Sequence, residues 1–154
     1  MPKIDIDALP VRHGSSYPGP MAAKMGARAQ VALGDPMGLT QFGVNLVTLD
    51  PGALSSLRHW HEEQDEFLVL TDGELTLVDD HGETLLRAGD CAAFPAGDAN
   101  GHHLVNKSET AGSFVVVGTR TPTEVGHYSD EDMMVTIDAA GYHFTKRDGS
   151  PVDE

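Results

Sequence analysis

Short β-rich runs separated by turn residues recur along the middle of this chain and limit the folds that it can adopt. The runs are LRHWH, EFLVL, ELTLV, TLLR and CAAFP, followed by HHLVN and SFVVVG. Between the earlier ones lie EEQD, TDG, DDHGE and AGD, which are rich in residues that favour turns. Strand-like runs at intervals of about 8 to 12 residues with such punctuation predict an all-β sandwich or barrel.

The segments on either side lack this regular pattern. Residues 1–38 are rich in Pro, Gly and Ala and show no sustained hydrophobic period. Residues 121–154 have weak periodicity, and DEDMMVTIDAA within them fits a short helix or a strand. We therefore expect an irregular N-terminal arm packed on the barrel (1–38), the barrel itself (39–120) and a C-terminal extension (121–154).

Composition limits the partners of the chain. It has 10 Lys and Arg against 24 Asp and Glu, a formal charge of −14, so its average surface repels nucleic acid and anionic lipids. The sequence contains neither a stretch long and apolar enough to span a membrane nor a signal peptide. The single cysteine, Cys91, excludes an intramolecular disulfide, and its apolar neighbours predict a buried thiol. We expect a soluble cytoplasmic protein.

The stretch RHWHEEQDEF concentrates side chains that bind metals. Side chains at i and i+2 of a strand point the same way, so His59 and His61 share one face. EEQD is interpreted as a turn, after which Glu66 opens a new strand on the face of Leu68 and Leu70. A carboxylate among interior leucines requires a cation or hydrogen-bond donors. Two neutral imidazoles and a metal ion would meet that requirement.

A second group of candidate ligands lies further along, in GDCAAFPAGDANGHHLVN. Pro95 is expected to end a strand and residues 97–101 to form a loop, after which His102 and Asn106 share a face. His102 is therefore a candidate third imidazole. His103 points the other way by alternation, but it stays open as the alternative ligand or as an acid/base group.

Together the two stretches resemble the two sequence motifs of the cupin superfamily. The first motif, G-(X)5-H-X-H-(X)3-4-E-(X)6-G, is matched by Gly52, His59, His61, Glu66 and Gly73. The second, G-(X)5-P-X-G-(X)2-H-(X)3-N, is matched by Gly89, Pro95, Gly97, His102 and Asn106.

The sequence departs from these motifs at two places. Gly52 is one residue further from His59 than the first motif asks. Four residues instead of two separate Gly97 from His102, so Asn100 stands where the second motif first expects histidine. The interval between His102 and Asn106 fits the motif, which favours a lengthened loop with His102 as the ligand.

The resemblance implies a fold and a cofactor. The fold is a small jelly-roll barrel, or double-stranded β-helix, as the strand pattern independently predicts. The cofactor is one divalent metal ion, held by His59, His61, Glu66 and His102 with room for water or substrate. Fe, Mn, Ni, Zn and Cu all suit such a mixed nitrogen and oxygen ligand set.

Three functions remain open for such a protein. The first is a metal-dependent, mannose-6-phosphate-isomerase-like cupin that acts on a small polar substrate such as a sugar or sugar phosphate. The second is an Fe(II)-dependent dioxygenase, and the third is a non-catalytic small-ligand-binding cupin. A phosphate ester requires positive charge, and the sequence offers few cations near the motifs, namely Arg58, Arg87, Lys107 and Arg120.

The remaining polar residues of the first motif have weaker expected roles. Arg58 and Trp60 should point away from the site and serve packing or subunit contact. One acidic residue of the turn could act as a general base, from Glu62, Glu63 and Asp65. Candidate substrate contacts are Tyr17, Arg58 and Lys107. Strands such as EFLVL, apolar on both faces, favour a homodimer.

Overall fold

A computed structural model describes residues 2–152 of the chain. Within them, thirteen strands follow one another: β1 Arg12–His13, β2 Arg28–Ala32, β3 Phe42–Leu49, β4 His59–His61, β5 Glu66–Asp72, β6 Glu74–Asp79, β7 Gly82–Arg87, β8 Cys91–Phe94, β9 His103–Val105, β10 Gly112–Thr119, β11 Glu124–Tyr128, β12 Met134–Asp138 and β13 Gly141–Thr145. The helices in this range are short 3-10 turns at Ile6–Ala8, Gly19–Met25 and Asp35–Met37. No helix of the described residues has the length and apolar character needed to cross a bilayer.

The strands form three antiparallel sheets that build a jelly-roll barrel. The largest has the order β1-β2-β3-β10-β5-β8, the second β13-β12-β11-β4, and the third β7-β6-β9. The pairs β3-β10, β10-β5, β5-β8, β11-β4 and β6-β9 join strands that are not consecutive in sequence, as the crossovers of a jelly roll require. The all-β prediction is confirmed.

The barrel core consists of side chains that alternate along the central strands. Leu68 and Leu70 of β5 are buried, whereas Phe67, which precedes them, is 41% exposed on the outer face. The same cluster contains Val47, Leu49, Ala53, Leu75, Leu86, Leu104 and Phe114. Because Glu66 shares the face of the two leucines, its carboxylate enters this otherwise apolar interior.

A second hydrophobic cluster joins the two ends of the chain. Its buried members are Met25, Leu57, Tyr128, Met133 and Val135. The arm expected to be irregular is partly a strand, because β2 pairs with β3 along its whole length. Similarly, DEDMMVTIDAA contains strand β12, which pairs with β11 and β13.

The prediction of a buried Cys91 is wrong, since this thiol is exposed. The residues of β8 alternate between exposed and half-buried, and Cys91 lies on the exposed face. Apolar neighbours identify a strand, but they do not tell which of its faces a given residue occupies.

Candidate metal centre

Strand β4 and the start of β5 bring three of the predicted ligands together. His59 and His61 project from the same face of β4, and Glu66 is the first residue of β5. One ligand atom from each of the three lies within 4.8 Å of the others. The Nε2 atoms of His59 and His61 are 3.9 and 3.4 Å from Glu66 Oε2. As predicted, the EEQD turn returns the carboxylate to the imidazoles.

His102 approaches the same carboxylate from the second stretch. An isolated antiparallel bridge joins it to His59, and the two residues exchange backbone hydrogen bonds of 3.2 and 3.0 Å. Its Nε2 lies 3.0 Å from Glu66 Oε1, and its ring stacks on Phe94 with centroids 3.4 Å apart. Among the described residues, the compact group of ligand atoms consists of His59, His61 and Glu66. His102 lies outside this group, but its ring contacts the Glu66 carboxylate. The fourth ligand stays a prediction.

Backbone carbonyls fix the tautomers of two of these histidines. His59 Nδ1 lies 2.8 Å from the Leu57 carbonyl, so the N–H donates there and Nε2 keeps its lone pair. His103 Nδ1 likewise donates to the carbonyl of Ser56 at 2.9 Å. His103 borders the cavity beside His102 but is not part of the compact group.

The donor set fits a divalent cation. Three imidazole nitrogens surround one carboxylate in a half-buried site, which is the mixed ligand set that first-row transition metals accept. Burial alone would raise the pKa of Glu66, but the adjacent imidazoles of His102, His59 and His61 hold that pKa well below its usual range. The carboxylate is therefore charged at neutral pH, as a metal ligand must be.

A further acidic residue, Glu124, lies on the Nδ1 side of the His61 ring. Its side chain is fully buried and accepts backbone hydrogen bonds from Glu62, Glu63 and Val125, each between 2.7 and 3.3 Å. Glu124 Oε2 is 3.9 Å from His61 Nδ1, a buried nitrogen that has no hydrogen-bond partner among the described residues. The second ring nitrogen of a metal-binding histidine commonly faces a carboxylate, a backbone carbonyl or a water molecule. Sequence reasoning missed Glu124, since it follows no motif.

The opposite face of β4 has structural contacts, as predicted. Trp60 stacks on His127 with ring centroids 4.4 Å apart. Arg58 binds Asp130 at 2.8 Å, Asp80 at 2.7 Å and the Gly101 carbonyl at 2.8 Å. These partners occupy the Arg58 guanidinium.

The acidic turn and the other predicted contacts are also engaged elsewhere. Glu62 pairs with His127 at 2.8 Å, and Asp65 accepts the backbone N–H of Ala96. Lys107 pairs with Glu83 on the exterior. Tyr17, in contrast, does lie by the site: its hydroxyl accepts the Leu57 N–H, and its ring borders a cavity shared with His61.

The cavity at the histidines has an arginine in its wall that the sequence prediction did not include. This space of about 120 Å³ is lined by His59, Glu66 and His102, and also by Arg28. The sequence placed candidate cations only near the motifs. Arg28 lies in the arm, in the five-residue segment RAQVA, all of which is half-buried. The alternation of polar and apolar residues in this segment is too short to predict a strand by itself.

Comparison with known proteins supports the fold. A family model described as "Cupin domain" matches residues 45–118. No curated protein matches the sequence. A solved structure of a sugar phosphate isomerase of the cupin superfamily from Silicibacter pomeroyi is 59% identical, with 99% of this chain and 97% of that chain covered and a TM-score of 0.96.

Two more distant structures share the fold. A putative sugar phosphate isomerase from Acidithiobacillus ferrooxidans is 23% identical over 83% of this chain and 81% of that chain, with a TM-score of 0.74. A predicted oxalate decarboxylase from Thermotoga maritima is 21% identical over 77% and 99%, with a TM-score of 0.64. Because the identity of 59% extends over nearly all of both chains, this protein belongs to the cupin superfamily.

Proposed function

We propose that this cupin is a metal-dependent isomerase of a small phosphorylated sugar. The observation that carries the proposal is the convergence of the Nε2 atoms of His59, His61 and His102 on the carboxylate of Glu66. The 59% identical protein from Silicibacter pomeroyi is described as a sugar phosphate isomerase, which supports the substrate class.

The residues of the chain prepare the site in three ways. His59, His61, His102 and Glu66 would hold one divalent ion, from Fe, Mn, Ni, Zn or Cu. When bound, the ion supplies Lewis-acid polarisation of a substrate carbonyl or hydroxyl. The Leu57 carbonyl keeps His59 in the tautomer with Nε2 free. Leu68 and Phe114 line the same cavity and exclude water from its floor.

Elemental analysis of protein purified without added metal tests the first half of this proposal. We expect one equivalent of a transition metal in the wild type and almost none in His61→Ala. His81→Ala is the matched control, because His81 is an exposed turn residue. Equal metal content in all three proteins would contradict the assignment of these ligands.

Proton exchange with solvent tests the second half. Isomerisation moves a proton between adjacent carbons of the sugar. In D₂O under anaerobic conditions, the wild type should therefore incorporate deuterium into sugar phosphates, and His61→Ala should not. Oxygen consumption that requires ferrous iron would instead indicate a dioxygenase. Saturable binding of sugar phosphates with neither reaction would indicate a ligand-binding cupin.

A further inference from the structure

Arg28 is a half-buried cation with which no carboxylate within residues 2–152 pairs. Its Nη1 donates to the Gly14 carbonyl at 2.9 Å and its Nη2 to Gln30 Oε1 at 3.1 Å. Its Nε is buried, with no hydrogen-bond partner in the described part of the chain. In contrast, carboxylates pair with Arg58, Arg87 and Arg120. An uncompensated, partly buried cation is costly in any protein, and it is unexpected in a chain with a formal charge of −14.

Strand pairing points Arg28 into the barrel. Arg28 lies opposite Leu49 and Gln30 opposite Val47 in the β2–β3 ladder. Residues directly opposite each other in antiparallel strands project to the same face, and both β3 residues belong to the core. Arg28 and Gln30 are thus polar side chains on the interior face, opposite the core residues Leu49 and Val47.

A second arginine lies on the same face. Arg12 of β1 is opposite Gln30, and it makes no side-chain hydrogen bond or ion pair with the described residues. Burial lowers the pKa of Arg28, and the positive charge of Arg12 lowers it further, so the two guanidinium groups repel each other. An anion bound between them would relieve both the desolvation and the repulsion.

Two neighbouring cavities meet at this position. Both are lined by Arg28, Gln30, Ser55 and Ser56. One continues to His59, Glu66 and His102, and the other, of about 310 Å³, continues to Arg12, Tyr17 and His61. A ligand held by Arg28 is therefore also next to the histidines, in a space of the size that small ligands use.

We propose that Arg28 and Arg12, with Gln30, Ser55 and Ser56, bind the phosphate group of the substrate. The inference deepens the proposed function and rests on it for the identity of the rest of the substrate. Two guanidinium groups match the double negative charge of a phosphate monoester better than the single charge of a carboxylate. The serine hydroxyls and the Gln30 amide add donors for its remaining oxygens.

A purely structural role for Arg28 makes a different prediction. Its bond to the Gly14 carbonyl ties the arm to β2, so loss of the side chain would lower stability without any ligand. A phosphate site predicts in addition that phosphate stabilises the wild type and does so through both arginines. Arg12 separates the two roles, because its exposed side chain supports no other residue in the described part of the chain.

Isothermal titration with inorganic phosphate, on chelator-treated protein at constant ionic strength, tests the proposal. We expect Arg28→Gln to weaken phosphate affinity about tenfold to a hundredfold, as for loss of a charge-assisted hydrogen-bond pair. Arg12→Gln should weaken it severalfold. Arg87→Gln, which removes the same charge from an exposed pair with Glu74, should leave it unchanged.

Three results would overturn the proposal. The first is that phosphate does not bind to the wild type. The second is that Arg12→Gln and Arg87→Gln bind phosphate with equal affinity, a comparison that holds even if Arg28→Gln does not fold. Acetate that competes at the same concentration as phosphate would reassign the site to carboxylates. The titration uses metal-free protein and therefore does not depend on turnover. If phosphate binds through Arg28 and Arg12 but the metal-containing protein does not turn over sugar phosphates, only the proposed function is refuted.

Discussion

The central strands and the two terminal segments contribute to the site in different ways. Strands β4 and β5 supply His59, His61 and Glu66 at fixed intervals, so the cluster follows from local alternation. The terminal strands β2 and β11 supply Arg28 and Glu124, which reach the site only because these strands pair with β3 and β4. The first region supplies the candidate metal ligands, and the second supplies the groups that surround them.

This difference shows where short motifs are informative. Within the central region the backbone itself restricts the sequence, as at the motif residue Gly73. In the terminal segments, burial and pairing with distant strands place the functional groups, and the same residue types elsewhere would have no such role. Substitutions in the two regions should therefore fail for different reasons.

The largest effect is expected at Gly73, where the backbone leaves no room for a side chain. Its φ is +71°, and a Cβ would lie 2.6 Å from the Ala111 carbonyl oxygen. Because that atom belongs to the backbone, Gly73→Ala should lower the free energy of unfolding by about 3 kcal/mol or more. Urea denaturation of the purified variant measures this change.

Gly52→Ala is the matched control for this substitution. Gly52 also has a positive φ, +85°, but a Cβ there meets nothing within 4 Å. We expect a cost of about 1 kcal/mol from the left-handed backbone alone. If both variants lose the same stability, close packing does not explain the glycine at position 73.

A medium effect is expected at Glu124, and it falls on metal affinity. Glu124→Gln keeps the shape of the side chain but removes the charge next to His61 Nδ1. Loss of such a supporting carboxylate typically weakens metal binding about tenfold to a hundredfold. Competition with a chromogenic chelator measures the affinity. Glu62→Gln is the control, because it changes an exposed carboxylate in the turn after β4. Equal metal affinities in the two variants would exclude a role for Glu124.

Much of the fold and of the ligand cluster could be predicted from the sequence, since alternation in a strand determines which face each residue occupies. The interior position of Glu66 followed from Leu68 and Leu70 in this way. Arg28 and Glu124 could not be predicted, because their positions depend on strands distant in sequence. The domain boundaries, the role of His102 as fourth ligand and the homodimer stay predictions; light scattering at micromolar concentration checks the last of these.

The smallest effect is expected where the two regions are joined by an ion pair. Arg58, just before β4, binds Asp130, which follows β11, and this hydrogen bond holds the pKa of Asp130 below its usual range. A depressed carboxyl pKa stabilises the fold above the ordinary value of about 4, and the contribution is lost as pH falls through the lower pKa of the folded protein. Because Asp130 is 61% exposed, a double-mutant cycle of Arg58→Gln and Asp130→Asn should give only about 0.5 kcal/mol at pH 7. Repeated at pH 3 and in high salt, the coupling should shrink; a coupling that is independent of both would mean that packing, and not charge, joins the terminal segment to β4.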